Sequence, residues 1–167
     1  MNGDLSHKFN TDEPLAYFLT WTTYGTWLHG DDRGWNRKSE SDIQHANPLF
    51  VEMARSRMRE SEFRLSEVNR RLVEDTVREH CRIRSWPLHA INVRTNHVHV
   101  VVTARGYRPG AVRDQFKAWC TRRLKADNPT RTRFWTEGAS CRWINNQDDL
   151  EAAAHYVIVA QDQAGAV

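Results

Sequence analysis

The sequence predicts an α+β domain of the ferredoxin-like kind, a β-α-β-β-α-β-α chain with helices packed on a central antiparallel sheet. Three observations predict it. Residues 88–94 and 96–103 read as strands that meet at the tight Arg94-Thr95-Asn96 junction, as in a hairpin. Segments 66–82 and 109–126 carry apolar residues at helical spacing on either side of that pair. An aromatic and β-branched stretch, Tyr17 to Leu28, supplies a first strand and its exit.

Each element has its own signal. Residues 1–14 are polar and charged; they read as a mobile arm, with none of the apolar character of a secretion signal. After the first strand, residues 29–62 read as a loop-rich insertion with a helical turn near Val51 to Met58. Ser66 caps a helix whose stripe is Val68, Leu72, Val73, Val77 and Cys81. In the second strand, Leu88, Ala90 and Asn92 share one face, and His89, Ile91 and Val93 the other. Asn96 to Thr103 is the third. Pro109 opens a helix buried through Val112, Phe116, Trp119 and Leu124. Arg142 to Asn145 is a short fourth strand, and Asn146 caps a last helix running to about Gln161, with Asp148 and Asp149 in its first turn.

At 167 residues the chain is one domain, large enough for a real core. The three cysteines are widely separated and form no C-x-x-C pair, which argues against a disulfide framework or a zinc–cysteine site. No apolar run is long enough for a membrane span. A cytoplasmic location is the default. The net charge of +3 is unevenly spread: Arg82 to Arg142 holds 13 Lys and Arg against three acidic residues, a net of +10, which leaves −7 for the remainder. Such segregation suits a polyanionic partner, although solvated basic faces are common. Arg113, Lys117, Arg122, Arg123 and Lys125 fall on or after the second long helix, and Arg131 and Arg133 in the next loop. These are the candidate nucleic-acid-binding residues. Trp21, Tyr24 and Trp27 are equally candidates for base stacking or for the core.

The chemistry resides in NHVHVVV, residues 96–102. On a strand, His97 and His99 project to one face and can converge on a cation, while Val98, Val100 and Val102 enter the core. Two ligands rarely suffice, so a third must come from elsewhere. Tyr156 stands in AAAHYVIVAQDQ, whose alanines let a helix approach a sheet closely. A phenol attacks phosphorus once a nearby cation or base draws off its proton. Taken singly, each feature also has an ordinary structural reading: paired imidazoles hydrogen-bonded on a strand, and a tyrosine at the edge of a core.

NHVHVVV followed by a helical tyrosine, together with YFLTWTTYGTWLHGDDRG, VRDQFKAWCTRRL and FWTEGASCRW, resembles the HUH single-tyrosine transposases. These are the insertion-sequence-200-like and REP-associated tyrosine transposases, and the similarity covers most of the chain. The resemblance implies a βαββαβα fold and single-stranded DNA with a hairpin as substrate. It implies that His97 and His99 ligate Mg²⁺ or Mn²⁺, with Asn96 ordering the strand entry. Tyr156 then forms a 5′-phosphotyrosine and frees a 3′-hydroxyl. It also implies a bacterial, nucleoid-associated protein acting as a monomer or as a homodimer that exchanges the tyrosine helix. In many members a Gln one turn after the tyrosine is the third ligand; here that position is Ala160. Gln161 is the candidate by resemblance. Gln163, two turns on, is the candidate by helical geometry. The alternative reading is a non-catalytic or domesticated protein that binds DNA or RNA hairpins. A water-using phosphate-ester hydrolase is a third.

Overall fold

A computed structural model describes residues 13–34 and 43–160. The mobile-arm reading of the N-terminus falls almost wholly outside these residues, as do Gln161 and Gln163. Four strands, β1 (Ala16–Thr22), β2 (Leu88–Val93), β3 (His97–Val102) and β4 (Ser140–Ile144), form one antiparallel sheet in the order β2-β3-β1-β4. The helices are α1 (Pro48–Ser56), α2 (Glu67–Arg84), α3 (Pro109–Asp127) and α4 (Gln147–His155), and α4 continues as a π-helical turn, Tyr156–Ala160. This is the predicted α+β ferredoxin-like order.

Period-2 alternation divides the sheet into two faces with separate cores. Tyr17, Leu19, Trp21, Val98, Val100 and Val102 face α2 and α3, meeting Val73, Val77, Val112 and Phe116. Ala16, Ala90, Val101 and Ile144 face the other way, meeting Leu150 of α4 and Val157 of the π turn. Ala153 and Ala154 pack against this second core, so the small residues of α4 do lie on the sheet. Both caps read from sequence form: Ser66 accepts from the Asn69 amide and Asn146 from the Asp149 amide.

Several expectations are corrected. Val68 is exposed, because a helix turning about 100° per residue sets it roughly 140° from Val73. Thr76 and His80 are buried on α2 instead. On α3, Cys120 takes the buried place given to Trp119, which lies at the rim with its ring near His80 and Arg122. A bulge between Leu88 and Ala90 breaks the alternation of β2, so Leu88 joins Ile91 and Val93 on the α2/α3 face while Ala90 takes the opposite one. The fourth strand begins at Ser140, two residues earlier than read, because β1 offers partners as far as Thr20. In the insertion, Asn47 caps α1 with Pro48 at its start, earlier than the expected turn. The insertion leads directly into the core: just past it Phe63 and Leu65 are buried, with Phe63 edge-on to Phe134 at 5.0 Å. Its start docks through Gly30 (φ +91°), where a side chain would meet the Asn47 carbonyl.

Candidate active site

The face of the sheet opposite α2 and α3 carries the histidines. His97 pairs with Thr22, and His99 with Thr20 on one side and Asn92 on the other. The two imidazoles lie 4.7 Å apart between ring centroids. Each engages a neighbour through Nδ1: His97 donates to Asn96 Oδ1 at 2.7 Å, and His99 is hydrogen-bonded to Thr20 Oγ1 at 2.7 Å. Rings held this way would ligate through Nε2, as histidines oriented by a second hydrogen bond commonly do. His99 is 8 % exposed, and Phe18 packs beside it at 5.6 Å.

Tyr156 comes to the same place from the other layer. It sits where α4 passes into the π turn, half exposed, with its ring 6.4 Å from His99 and 6.2 Å from Phe18. Two contacts fix that turn. Val157 is fully buried in the second core, and its carbonyl accepts a 2.9 Å hydrogen bond from Asn92 Nδ2. Thr20, His99 and Asn92 are therefore one row across β1, β3 and β2. One end of the row orients an imidazole and the other tethers the tyrosine segment. Wide π turns inside helices recur at functional sites.

Beside Tyr156 and His99 lies a cleft of about 530 Å³. Phe18, Thr20, Ser140, Arg142, Ala152 and Ala153 contribute to its walls. Arg142, opposite Phe18 on β4, is the one Arg or Lys side chain among the described residues lining it. Sequence reasoning missed Arg142, Thr20, Ser140 and Asn92 as site residues. The signal for them is strand pairing, which no local pattern contains.

The predicted basic cluster lies elsewhere. Arg113, Lys117, Arg122, Arg123 and Lys125 belong to α3, on the far side of the sheet. Arg113 is bonded to Asp114 at 2.8 Å, which raises its pKa. The Lys117 ammonium donates to the carbonyls of Thr136 (2.9 Å) and Gly138 (2.6 Å), and burial brings its pKa down to about 8. Arg131 bonds the Ser61 carbonyl and hydroxyl at 3.0 Å, and Arg133 lies over the Tyr24 ring. None of the seven borders the cleft beside Tyr156. Of the aromatic trio, Trp21 is buried against Phe116 and Trp135, and Tyr24 packs on the same core. Trp27 remains 37 % exposed.

In donor type the pair, two imidazole nitrogens, suits a borderline divalent cation; a harder one such as Mg²⁺ would need oxygen donors from an amide, a phosphate or water to complete its shell. Among the described residues no group of three or more His, Cys, Asp or Glu could hold a metal.

The sequence model described as "Transposase IS200 like" matches residues 52–159, a span that includes both histidines and Tyr156. The chain belongs to the IS200-like transposase family. A solved REP-associated tyrosine transposase bound to a REP hairpin is similar at 13 % identity and a TM-score of 0.57, over 93 % of this chain and 71 % of that one. At such identity the likeness is one of fold, and it shares the four-stranded α+β architecture described above. The crystal structure of a candidate transposase from Deinococcus radiodurans aligns at 13 % identity and a TM-score of 0.46, over 83 % of this chain and 85 % of that one. No curated protein matches the chain. Among the described residues of this IS200-like chain, no helix is long and apolar enough to cross a membrane.

Proposed function

We propose that the protein cleaves and rejoins single-stranded DNA beside a hairpin, with Tyr156 as the nucleophile. The observation that carries this reading is the meeting of Tyr156 with His97 and His99 on one face of the sheet. In the cleavage step a bond forms from Tyr156 Oη to the scissile phosphorus, and the bond from phosphorus to the 3′-oxygen breaks. The phenol gives up its proton and the departing 3′-oxygen takes one up, leaving a 5′-phosphotyrosine and a 3′-hydroxyl. Attack by a 3′-hydroxyl on the phosphotyrosine reverses the step and joins the strands. The phosphotyrosine conserves the bond energy needed for that transfer.

His97 and His99 would hold Mg²⁺ or Mn²⁺, which when bound polarises the phosphate and orients it. Asn96 and Thr20 set the two rings, and Asn92 holds the backbone that carries Tyr156. Arg142, in the cleft, is suited to hold a phosphate oxygen of the strand. For the third ligand, Gln161 is the candidate by resemblance and Gln163 the alternative; both lie outside the described residues. The exposed cations of α3, Arg122, Arg123 and Lys125, would contact phosphates of the same DNA outside the cleft.

A hairpin-bearing oligonucleotide incubated with Mn²⁺ should yield a covalent protein–DNA band on a denaturing gel. Tyr156→Phe should abolish it. Tight binding by wild-type protein with no adduct under either metal would select the non-catalytic hairpin-binding reading. An adduct that persists in Tyr156→Phe would remove Tyr156 from its role.

A further inference from the structure

A second pocket, of about 460 Å³, opens on the other side of Thr20 and Ser140 from the Tyr156 cleft. Thr20 and Ser140 are cross-strand partners on β1 and β4, and both line both pockets, so the two cavities adjoin across a single residue pair. The second pocket is bordered by Trp27, His29 and Arg33 from the segment after β1, and by Thr136 to Ala139 from the segment before β4.

Its aromatic wall is built in advance. Trp27 Nε1 donates to the Gly34 carbonyl at 2.7 Å, which fixes the indole. The Arg33 guanidinium lies 4.5 Å from the centre of the Trp27 ring. Arg33 is itself clamped by two hydrogen bonds to Asp31, at 2.7 and 2.6 Å, and one to the Thr26 carbonyl at 2.6 Å. The opposite wall is held by Lys117 through the carbonyls of Thr136 and Gly138. A partly exposed indole, a fixed guanidinium and hydroxyls suit a flat heteroaromatic group attached to an anionic backbone. That is the chemistry of a nucleotide in single-stranded DNA.

Resting on the reading under Proposed function, we infer that this pocket takes the base of a nucleotide within one or two positions of the scissile phosphate, stacked on Trp27. The strand crosses the Thr20–Ser140 ridge, with the reacting phosphate on the Tyr156 side and the stacked base on the Trp27 side. The pocket thereby sets which linkage reaches Tyr156, and Arg33, its charge engaged by Asp31, braces the Trp27 ring.

The test begins with covalent capture of DNA from a randomised hairpin pool by wild-type protein with Mn²⁺. A pool that yields no captured DNA overturns the proposed function and this inference together. The captured oligonucleotide is then titrated by fluorescence anisotropy against Tyr156→Phe protein, with one abasic position introduced at a time around the cleavage point. One position should weaken binding roughly 5- to 150-fold, the range expected for a single base–aromatic stack. Adding Trp27→Leu, which keeps apolar bulk and loses the π-face, should remove the cost of that abasic position and leave the others unchanged. Trp27→Phe should restore part of it, and near-UV circular dichroism verifies that each variant is folded. An abasic profile identical with and without the Trp27 ring would overturn the inference while leaving the cleavage reading intact.

Discussion

The two faces of the sheet differ in what they do with polar groups. The face under α2 and α3 is sealed: Val98, Val100 and Val102 are fully buried, and His80 of α2 is buried against Trp86 and Phe116, with Trp119 at the rim. The face under α4 is only partly covered, because α4 and its π turn are short and small-sided. Thr20, Asn92, His97 and His99 are left along the margin of that cover. Consecutive residues of β3 thus serve a core and a site in alternation. The sealed face supplies rigidity, and the open face uses it to hold imidazoles at fixed spacing.

The sharpest way to break this division is to disturb the open face without touching the sealed one. Asn96→Ala and Thr20→Val each remove the partner of one imidazole Nδ1. Each should raise the Mn²⁺ concentration for half-maximal adduct formation about 10- to 100-fold, the usual loss when the group orienting a metal-binding histidine is removed. Oligonucleotide binding without metal should hardly change. An unchanged Mn²⁺ dependence in both variants would mean that the histidines are not set by these bonds.

Charge gives the second contrast. Arg142→Gln should slow adduct formation at saturating DNA by about 10-fold or more, as expected for loss of a charged hydrogen bond to phosphate. Arg123→Gln, on the far side of the sheet, should weaken binding and lower the slope of log affinity against log salt by roughly 1, with the rate from the bound state unchanged. If the two variants behave alike, the DNA path does not distinguish the faces.

This contrast also separates what was legible in the sequence from what was not. The histidine pair, the tyrosine, both caps and the order of elements along the chain follow from local patterns and a motif. The basic residues were visible as a cluster, but a cluster in sequence does not say on which side of a sheet it falls. Lys117 illustrates the cost: its spacing on α3 resembles a phosphate contact, and its ammonium is committed to two carbonyls. Arg142 went unnoticed because its place depends on pairing with Phe18, 124 positions earlier in the chain. The bulge in β2 and the π turn are departures from ideal periods, and periodicity arguments are blind to them by construction.

Asn92 probes the link between the layers more gently. Asn92→Ala loses the bond to the Val157 carbonyl while Val157 stays buried. Loss of one such hydrogen bond, roughly 0.5–1.5 kcal/mol, corresponds to an adduct rate lowered by about 2- to 12-fold. Affinity for DNA should be unaffected, since the tether acts on the position of Tyr156. A drop in affinity with no change in rate would instead make Asn92 a DNA contact.

The smallest expected effect belongs to the sealed face and tests whether it is sealed. Burial lowers the pKa of His80, outweighing the opposing hydrogen bond from its Nε2 to Gln115 Oε1, and nearby Arg84 lowers it further. Burial likewise lowers His89, which is bonded to Thr103. Unfolded chains protonate both rings near pH 6.5, whereas the folded protein resists until lower pH. The unfolded state therefore binds more protons in that interval, and stability must fall as pH drops below about 6.5. Carboxylates held low by their partners, such as Asp31 at about 2 beside Arg33, lose their stabilising contribution only at more acid pH, so the range from pH 7 to 5 isolates the histidines. Urea midpoints should decline across that range, and His80→Gln should flatten the decline whatever it does to the midpoint at pH 7. An equally steep decline in the variant would show that water reaches His80 and that this face is less closed than its packing implies.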